Sequence, residues 1–268
     1  PHRDTWPLLH RHFGTSSEEE LRRKLHDDFR WIAPWSGAYK HPQGKPMLDK
    51  QRHGQNLGAG GIFAGCEDVR QVEDYEWPNP DYLDFRETLA ELQAAGDVYR
   101  ASGFWCPFFH EVADFFGMEN YFVKMYTHPE VVHAVTRRLV DFYLEANRRF
   151  FAATRGQVDA FFFGNDFGTQ LDLLVSPDMF REFIFPYFHQ LTELGHRSGL
   201  QVILHSCGAI HRVIPDLIRL GVDALHPLQA RAANMEAEIL ARDFKGQVAF
   251  MGGVDTQDLL VNAAAGEV

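Results

Sequence analysis

Short unbroken apolar runs alternate along this chain with longer segments whose apolar residues recur at helical spacing. Val98–Phe104, Ala160–Phe163, Gln201–Leu204, Asp223–Leu225 and Val248–Met251 read as strands. Between them, Phe108–Phe116, Ile214–Leu220 and Met235–Asp243 read as helices, and another helix begins after Thr256. A long helix capped by Thr127, with Pro129 in its first turn, is predicted to run to about Thr154, where Gly156 stops it. Ser176-Pro177-Asp178 starts a further helix, whose apolar face runs from Phe180 through Phe183, Ile184, Tyr187, Phe188 and Leu191 to Leu194. Pro186 should kink or interrupt it. Strands that are apolar throughout have both faces covered. Helices rather than hairpin turns between them make the sheet parallel.

The residues up to 96 are irregular. Ser17 followed by Glu18-Glu19-Glu20 starts a short helix, with acids at its favourable end. Residues 34–66, rich in Gly, Pro and aromatics, read as strands and loops. They end in Gly58-Ala59-Gly60-Gly61, whose spacing suits a flexible turn and not a phosphate loop. Asp81–Ala95 reads as helix, stopped by Gly96. The expected organisation is an amino-terminal helix, loop and strand segment, 1–96, packed on a barrel core, 97–268. The fold class is α/β, a (β/α)₈ TIM-type barrel, because polar residues follow almost every strand, where that fold gathers its chemistry. A doubly wound sheet would need a glycine-rich first turn, which is absent. About five strand–helix units can be counted, so the barrel is expected to be incomplete at both ends, with a closing strand beyond Val268.

Composition narrows the function. The 268 residues are 45% hydrophobic and 24% charged, and a net charge of −11 with no basic cluster argues against nucleic acid or an anionic membrane as partner. No apolar stretch reaches the ~20 residues of a membrane span. Three scattered cysteines, Cys66, Cys106 and Cys207, fit a reduced, cytoplasmic setting rather than a disulfide framework. The 23 Phe fit a large core or an aromatic-walled pocket. A homodimer is compatible with the pattern.

Chemistry concentrates at His205-Ser206-Cys207-Gly208, where the apolar run Val202-Ile203-Leu204 stops. Side chains two apart on an extended backbone share a side, so an imidazole and a thiolate there can hold one Zn²⁺. The alternative is a buried cysteine beside a strand-end histidine. Asp166, after Asn165, could bind a substrate cation or orient a zinc-bound group, or simply cap a turn. His226 and Gln229 follow the next strand, with His226 either a replacement ligand or a hydrogen-bonded core histidine. Asp255 follows Gly252 and Gly253, whose small size lets a substrate approach the backbone. Cys106 is a barrel-mouth ligand or buried packing, with His110 and Glu111 beside it.

Several of these segments resemble the uroporphyrinogen decarboxylase superfamily. In order they are Gly164-Asn165-Asp166-Phe167-Gly168-Thr169-Gln170, Ser176–Phe183, Pro186-Tyr187, His205-Ser206-Cys207-Gly208, Ile214–Ile218, Gly221-Val222-Asp223 and Gly252-Gly253-Val254-Asp255. Weaker matches include Gly65–Val69 and Tyr75–Pro78. The resemblance implies one of two chemistries. Metal-free decarboxylases of tetrapyrroles use an amino-terminal Arg-rich loop, which is not found here. Corrinoid-linked methyltransferases carry a His-x-Cys at this strand end and a further Cys near the carboxyl terminus, jointly holding zinc. His205 and Cys207 match the first two of these positions. The third ligand is expected beyond Val268. On this resemblance the expected activity is methyl transfer between a small methylated substrate or thiol acceptor and a corrinoid, supplied as methylcobalamin or a relative on a partner protein. Asp166 and Asp255 would be catalytic, with Asn165, Gln170, His226, Gln229 and Gly253 lining the substrate.

Overall fold

Six strands form one parallel sheet in chain order: β1 (Phe29–Trp31), β2 (Tyr99–Ser102), β3 (Ala160–Gly164), β4 (Gln201–His205), β5 (Ala224–Leu228) and β6 (Ala249–Gly252). They are seen in a computed structural model that describes residues 4–267 except 53, 55, 57, 155 and 265. Two helices, α1 (Trp6–Phe13) and α2 (Glu18–Lys24), precede β1, and α3 (Val69–Glu73) and α4 (Arg86–Ala94) separate β1 from β2. The β2–β3 crossover holds α5 (Phe108–Phe116), α6 (Met118–Thr127) and the 26-residue α7 (Pro129–Thr154). After β3 come α8 (Pro177–Phe183) and α9 (Phe185–Arg197), after β4 α10 (Ile214–Arg219), after β5 α11 (Ala237–Phe244), and after β6 α12 (Leu259–Asn262). Parallel strands that each neighbour their chain neighbours, with helical crossovers, make a partial (β/α) barrel. Among the described residues, no helix is long and apolar enough to cross a membrane.

Strand alternation divides the sheet's side chains between two clusters. Phe161, Phe163, Val202, Leu204 and Leu225 point into the main core under the helices. Ala101, Ala160, Phe162 and Ile203 face the other way, with Phe29, Tyr99, Trp105 and Ala224 packed beside them. The helix face is the larger, and most of the phenylalanines belong to it, which settles the choice between core and pocket wall for those residues.

Local chemistry explains most elements and most departures. The Ser176 hydroxyl accepts from Met179 N–H at 3.3 Å and starts α8. Pro186 does interrupt the following helix. The chain breaks at Ile184, and Pro186 re-enters in the first turn of α9, where its missing N–H costs nothing. The described residues of 34–66 form no strand of the sheet; Tyr39 makes an isolated bridge to Leu83. The helix expected over 81–95 begins only at Arg86, after a single 3₁₀ turn at Pro80–Tyr82. Thr127 closes α6 instead of capping α7, its hydroxyl donating to the Val123 carbonyl at 3.2 Å. The first strand, β1, comes from the irregular amino-terminal stretch and pairs with β2 in parallel, Phe29 opposite Tyr99.

Candidate metal centre

The site is built where β3, β4 and β5 end together. Gly164, His205 and His226 stand opposite one another in register across the three strands. Beyond Gly164 the chain is held by Asn165, which is 1% exposed. Its amide nitrogen donates to the Cys106 carbonyl at 3.0 Å and its amide oxygen accepts from Phe109 N–H at 2.9 Å. The next backbone N–H, that of Asp166, donates to His110 Nε2 at 3.0 Å. Thus anchored, the Asp166 carboxylate reaches across to β4 and accepts from Cys207 N–H at 2.8 Å. Two glycines let the loops meet. A Cβ on Gly208, whose φ is +89°, would lie 2.3 Å from the Gly168 backbone, and Ala209 N–H donates to the Thr169 carbonyl at 2.7 Å.

Asp166, His205 and Cys207 consequently offer three donor atoms within 4.8 Å of one another, all partly buried. His205 Nε2 lies 3.5 Å from Cys207 Sγ and 3.4 Å from Asp166 Oδ1. Tetrahedral zinc with ordinary bond lengths separates a nitrogen from a thiolate sulfur by roughly 3.6 Å and from a carboxylate oxygen by roughly 3.4 Å. The donors therefore fit the ion in type and in spacing. Asp166 enters as a third donor inside the chain, a place for which the sequence offered His226, Cys106 or a cysteine past residue 268. The charges favour a cation too. Burial pushes the Asp166 carboxyl up, but His205 and the Cys207 N–H outweigh it and hold it at about 2. Burial and that carboxylate together push the Cys207 thiol up to about 11. Without a cation the thiol keeps its proton, because a second negative charge beside Asp166 is unfavourable.

The walls of the site differ in character. His205 Nδ1 lies 3.0 Å from His226 Nδ1, on the side of the ring away from the donors. Burial and the neighbouring His205 push His226 down to about 4. Trp105 meets the His205 ring edge to face, with centroids 5.0 Å apart. It occupies the space a side chain at Gly164 would fill, since a Cβ there would be 2.1 Å from the indole. Trp31 packs on Trp105 and Trp35 on Trp31, and both are substantially exposed. Nothing in sequence spacing joins this indole row, although Trp31 and Trp105 stand at or just after strand ends, as the other site residues do.

The rim loops are tied by amides. Gln229 Oε1 accepts from Gly208 N–H at 3.0 Å and from Gln170 Nε2 at 2.7 Å, while Gln170 Oε1 accepts from Gln257 at 3.2 Å. Gln170 and Gln229 thus bind each other, and Asn165 binds backbone, where all three were expected at substrate. Asp255 and Gly253 line a separate cleft of about 240 Å³ together with Pro227 and Arg231, and Asp255 pairs with Arg231 Nε at 2.7 Å. Asp255 is not among the clustered donors. Cys106 is packing, not a ligand: it is fully buried, burial pushes its thiol well up, and its Sγ accepts from Asn147 Nδ2 at 3.2 Å. Glu111 is buried against the Tyr143 hydroxyl at 2.7 Å, so of His110 and Glu111 it is His110 that reaches the centre. A larger cavity of about 740 Å³, between Tyr39, Phe63, Tyr75 and Trp77, shares no lining residue with the donor cluster.

Comparison with known proteins places this arrangement in a family. No curated protein matches the chain significantly. A solved structure, a methyltransferase from Methanosarcina mazei, superposes with a TM-score of 0.47 at 15% identity, over 91% of this chain and 81% of that one. A family model described as uroporphyrinogen decarboxylase (URO-D) matches residues 109–268, which is more than half of the chain and includes every donor of the cluster. The chain therefore belongs to the uroporphyrinogen decarboxylase family.

Proposed function

We propose that this protein is a methyl-transfer enzyme that binds Zn²⁺ through Asp166, His205 and Cys207 and exchanges a methyl group between a small substrate and a corrinoid on a partner protein. The observation that carries the reading is the donor triangle, whose 3.5 and 3.4 Å edges match a tetrahedral ion with a fourth position for substrate. Zinc bound there would act as a Lewis acid, easing deprotonation of a substrate thiol or hydroxyl or polarising a methylated sulfur or oxygen. The chain's own residues do the rest. Asp166 and Cys207 supply negative charge that matches a divalent cation. The Trp105 edge closes one side of His205, so a reactant comes to the donors from the side that Trp105 leaves open. Trp31 and Trp35 extend that wall toward solvent and offer a flat apolar surface to a substrate or to the incoming partner.

Metal analysis of the protein and of Cys207→Ala tests this directly. About one zinc per chain is expected in the parent and a large loss in the variant. Loss of the methyl–cobalt absorption of methylcobalamin on adding thiol acceptors would then follow transfer. Absence of zinc from both proteins would refute the metal reading, and turnover of uroporphyrinogen by metal-free protein would establish a decarboxylase in its place.

A further inference from the structure

We propose that His226 is a positioning residue. It accepts the Nδ1 proton of His205 and so keeps that ring turned with Nε2 toward the donor set. The inference rests on the zinc-binding reading of Asp166, His205 and Cys207.

The two Nδ1 atoms face each other at 3.0 Å, a distance at which one proton lies between two nitrogens. Which nitrogen carries it follows from the other end of the His205 ring. Nε2 is the atom that meets Cys207 Sγ and Asp166 Oδ1, and a nitrogen that binds a cation must present its lone pair. The ring proton of His205 is then on Nδ1, which makes it the donor. His226 must present a bare Nδ1 and carry its own proton on Nε2. Metal-binding histidines commonly donate their second N–H to a carboxylate, carbonyl or water. Here an imidazole fills that place.

The fold prepares the acceptor. Strand register sets His226 directly opposite His205, so both side chains leave the same face of the sheet. Phe162 stands edge-on to the His226 ring at 5.2 Å, and the two imidazole centroids are 5.1 Å apart. His226 is not one of the clustered donors, and its Nδ1 is turned to the back of the His205 ring. It therefore orients a ligand and is not one itself.

Zinc affinity, measured by competition with a chromogenic chelator, separates the possibilities. The comparison uses the parent protein, His226→Asn, whose side-chain oxygen can replace Nδ1 as acceptor, and His226→Leu, which keeps bulk without an acceptor. Loss of such a partner weakens metal binding by about 10–100-fold, so His226→Leu should fall in that range and His226→Asn should recover most of the loss. Equal affinity in all three, or equal weakening in both variants, overturns the acceptor role. A parent protein that binds no zinc overturns the underlying metal reading instead. A measurement free of variants is long-range ¹⁵N–¹H NMR on zinc-loaded protein. It should show His205 protonated on Nδ1 and His226 on Nε2, and the reverse assignment for His226 would refute the proposal.

Discussion

Gly208→Ala is the sharpest test of how the donor triangle is assembled. Gly208 has φ +89°, a region that L side chains rarely adopt, and its missing Cβ leaves room for the loop after β3. An added Cβ would sit 2.3 Å from the carbonyl carbon and oxygen of Gly168 and 2.7 Å from the Thr169 carbonyl oxygen. These are backbone atoms that cannot rotate away. Gly199 is the matched control, with φ +76° and nothing within 4 Å of its would-be Cβ. Forcing alanine into positive φ costs about 1 kcal/mol or somewhat more at either position. Overpacking against backbone adds about 1–3 kcal/mol at Gly208 alone. Urea unfolding of zinc-free protein should show Gly199→Ala losing about 1 kcal/mol and Gly208→Ala about 3. The second consequence is specific to the site. Relief of the clash moves the loop after β3 away from β4, and Asp166 leaves Cys207. Zinc affinity should thus fall at least about tenfold in Gly208→Ala and stay unchanged in Gly199→Ala. Equal stability losses with equal zinc binding would refute the idea that close approach of these two loops builds the centre.

Two further outcomes follow from the geometry. Asn165→Ala leaves the buried Phe109 N–H without its partner and leaves the Cys106 carbonyl only the Phe108 N–H, which should cost about 1–3 kcal/mol in urea unfolding; a variant of parental stability with altered substrate KM would return Asn165 to the substrate. Glu19, held at about 2 chiefly by Arg30 and Arg23, stabilises the fold above its ordinary carboxylate range, and that contribution disappears as pH falls toward 2. Because its carboxylate is 43% exposed, Glu19→Gln should cost only about 1 kcal/mol at pH 7 after solvent screening. The gap to the parent should close between about pH 4.5 and 2 in acid titrations followed by circular dichroism, and a gap independent of pH would refute the ion pair's role.

Strand runs such as Ala160–Phe163 and Gln201–Leu204 were readable because both of their faces are covered, which leaves an unbroken apolar signature. The three residues of β1 carry no such signature, since Trp31 is 38% exposed and Arg30 is held among polar partners. Helix α6 starts directly after Gly117, so a glycine that reads as a stop also opens the next helix. At the site, His205 and Cys207 were legible because they are neighbours in sequence at a strand end. Asp166 could be marked as polar at such an end and as able to orient a zinc-bound group, but not as a donor beside them. Its carboxylate reaches them only through β3–β4 pairing and the glycine contact between loops. The amide belt escaped for the same reason, as its three glutamines sit on loops after three different strands.

The donor triangle also bears on how the molecule is made. Asp166, His205 and Cys207 all belong to a single strand–helix–strand unit, β3 through β4 and the turn beyond it. On the zinc reading proposed above, ribosomal synthesis would complete the ion's grip once residue 207 has emerged, with β5 and β6 still to come. An ion captured at that stage would pin β3 to β4 and leave a ready edge on which the later strands can add.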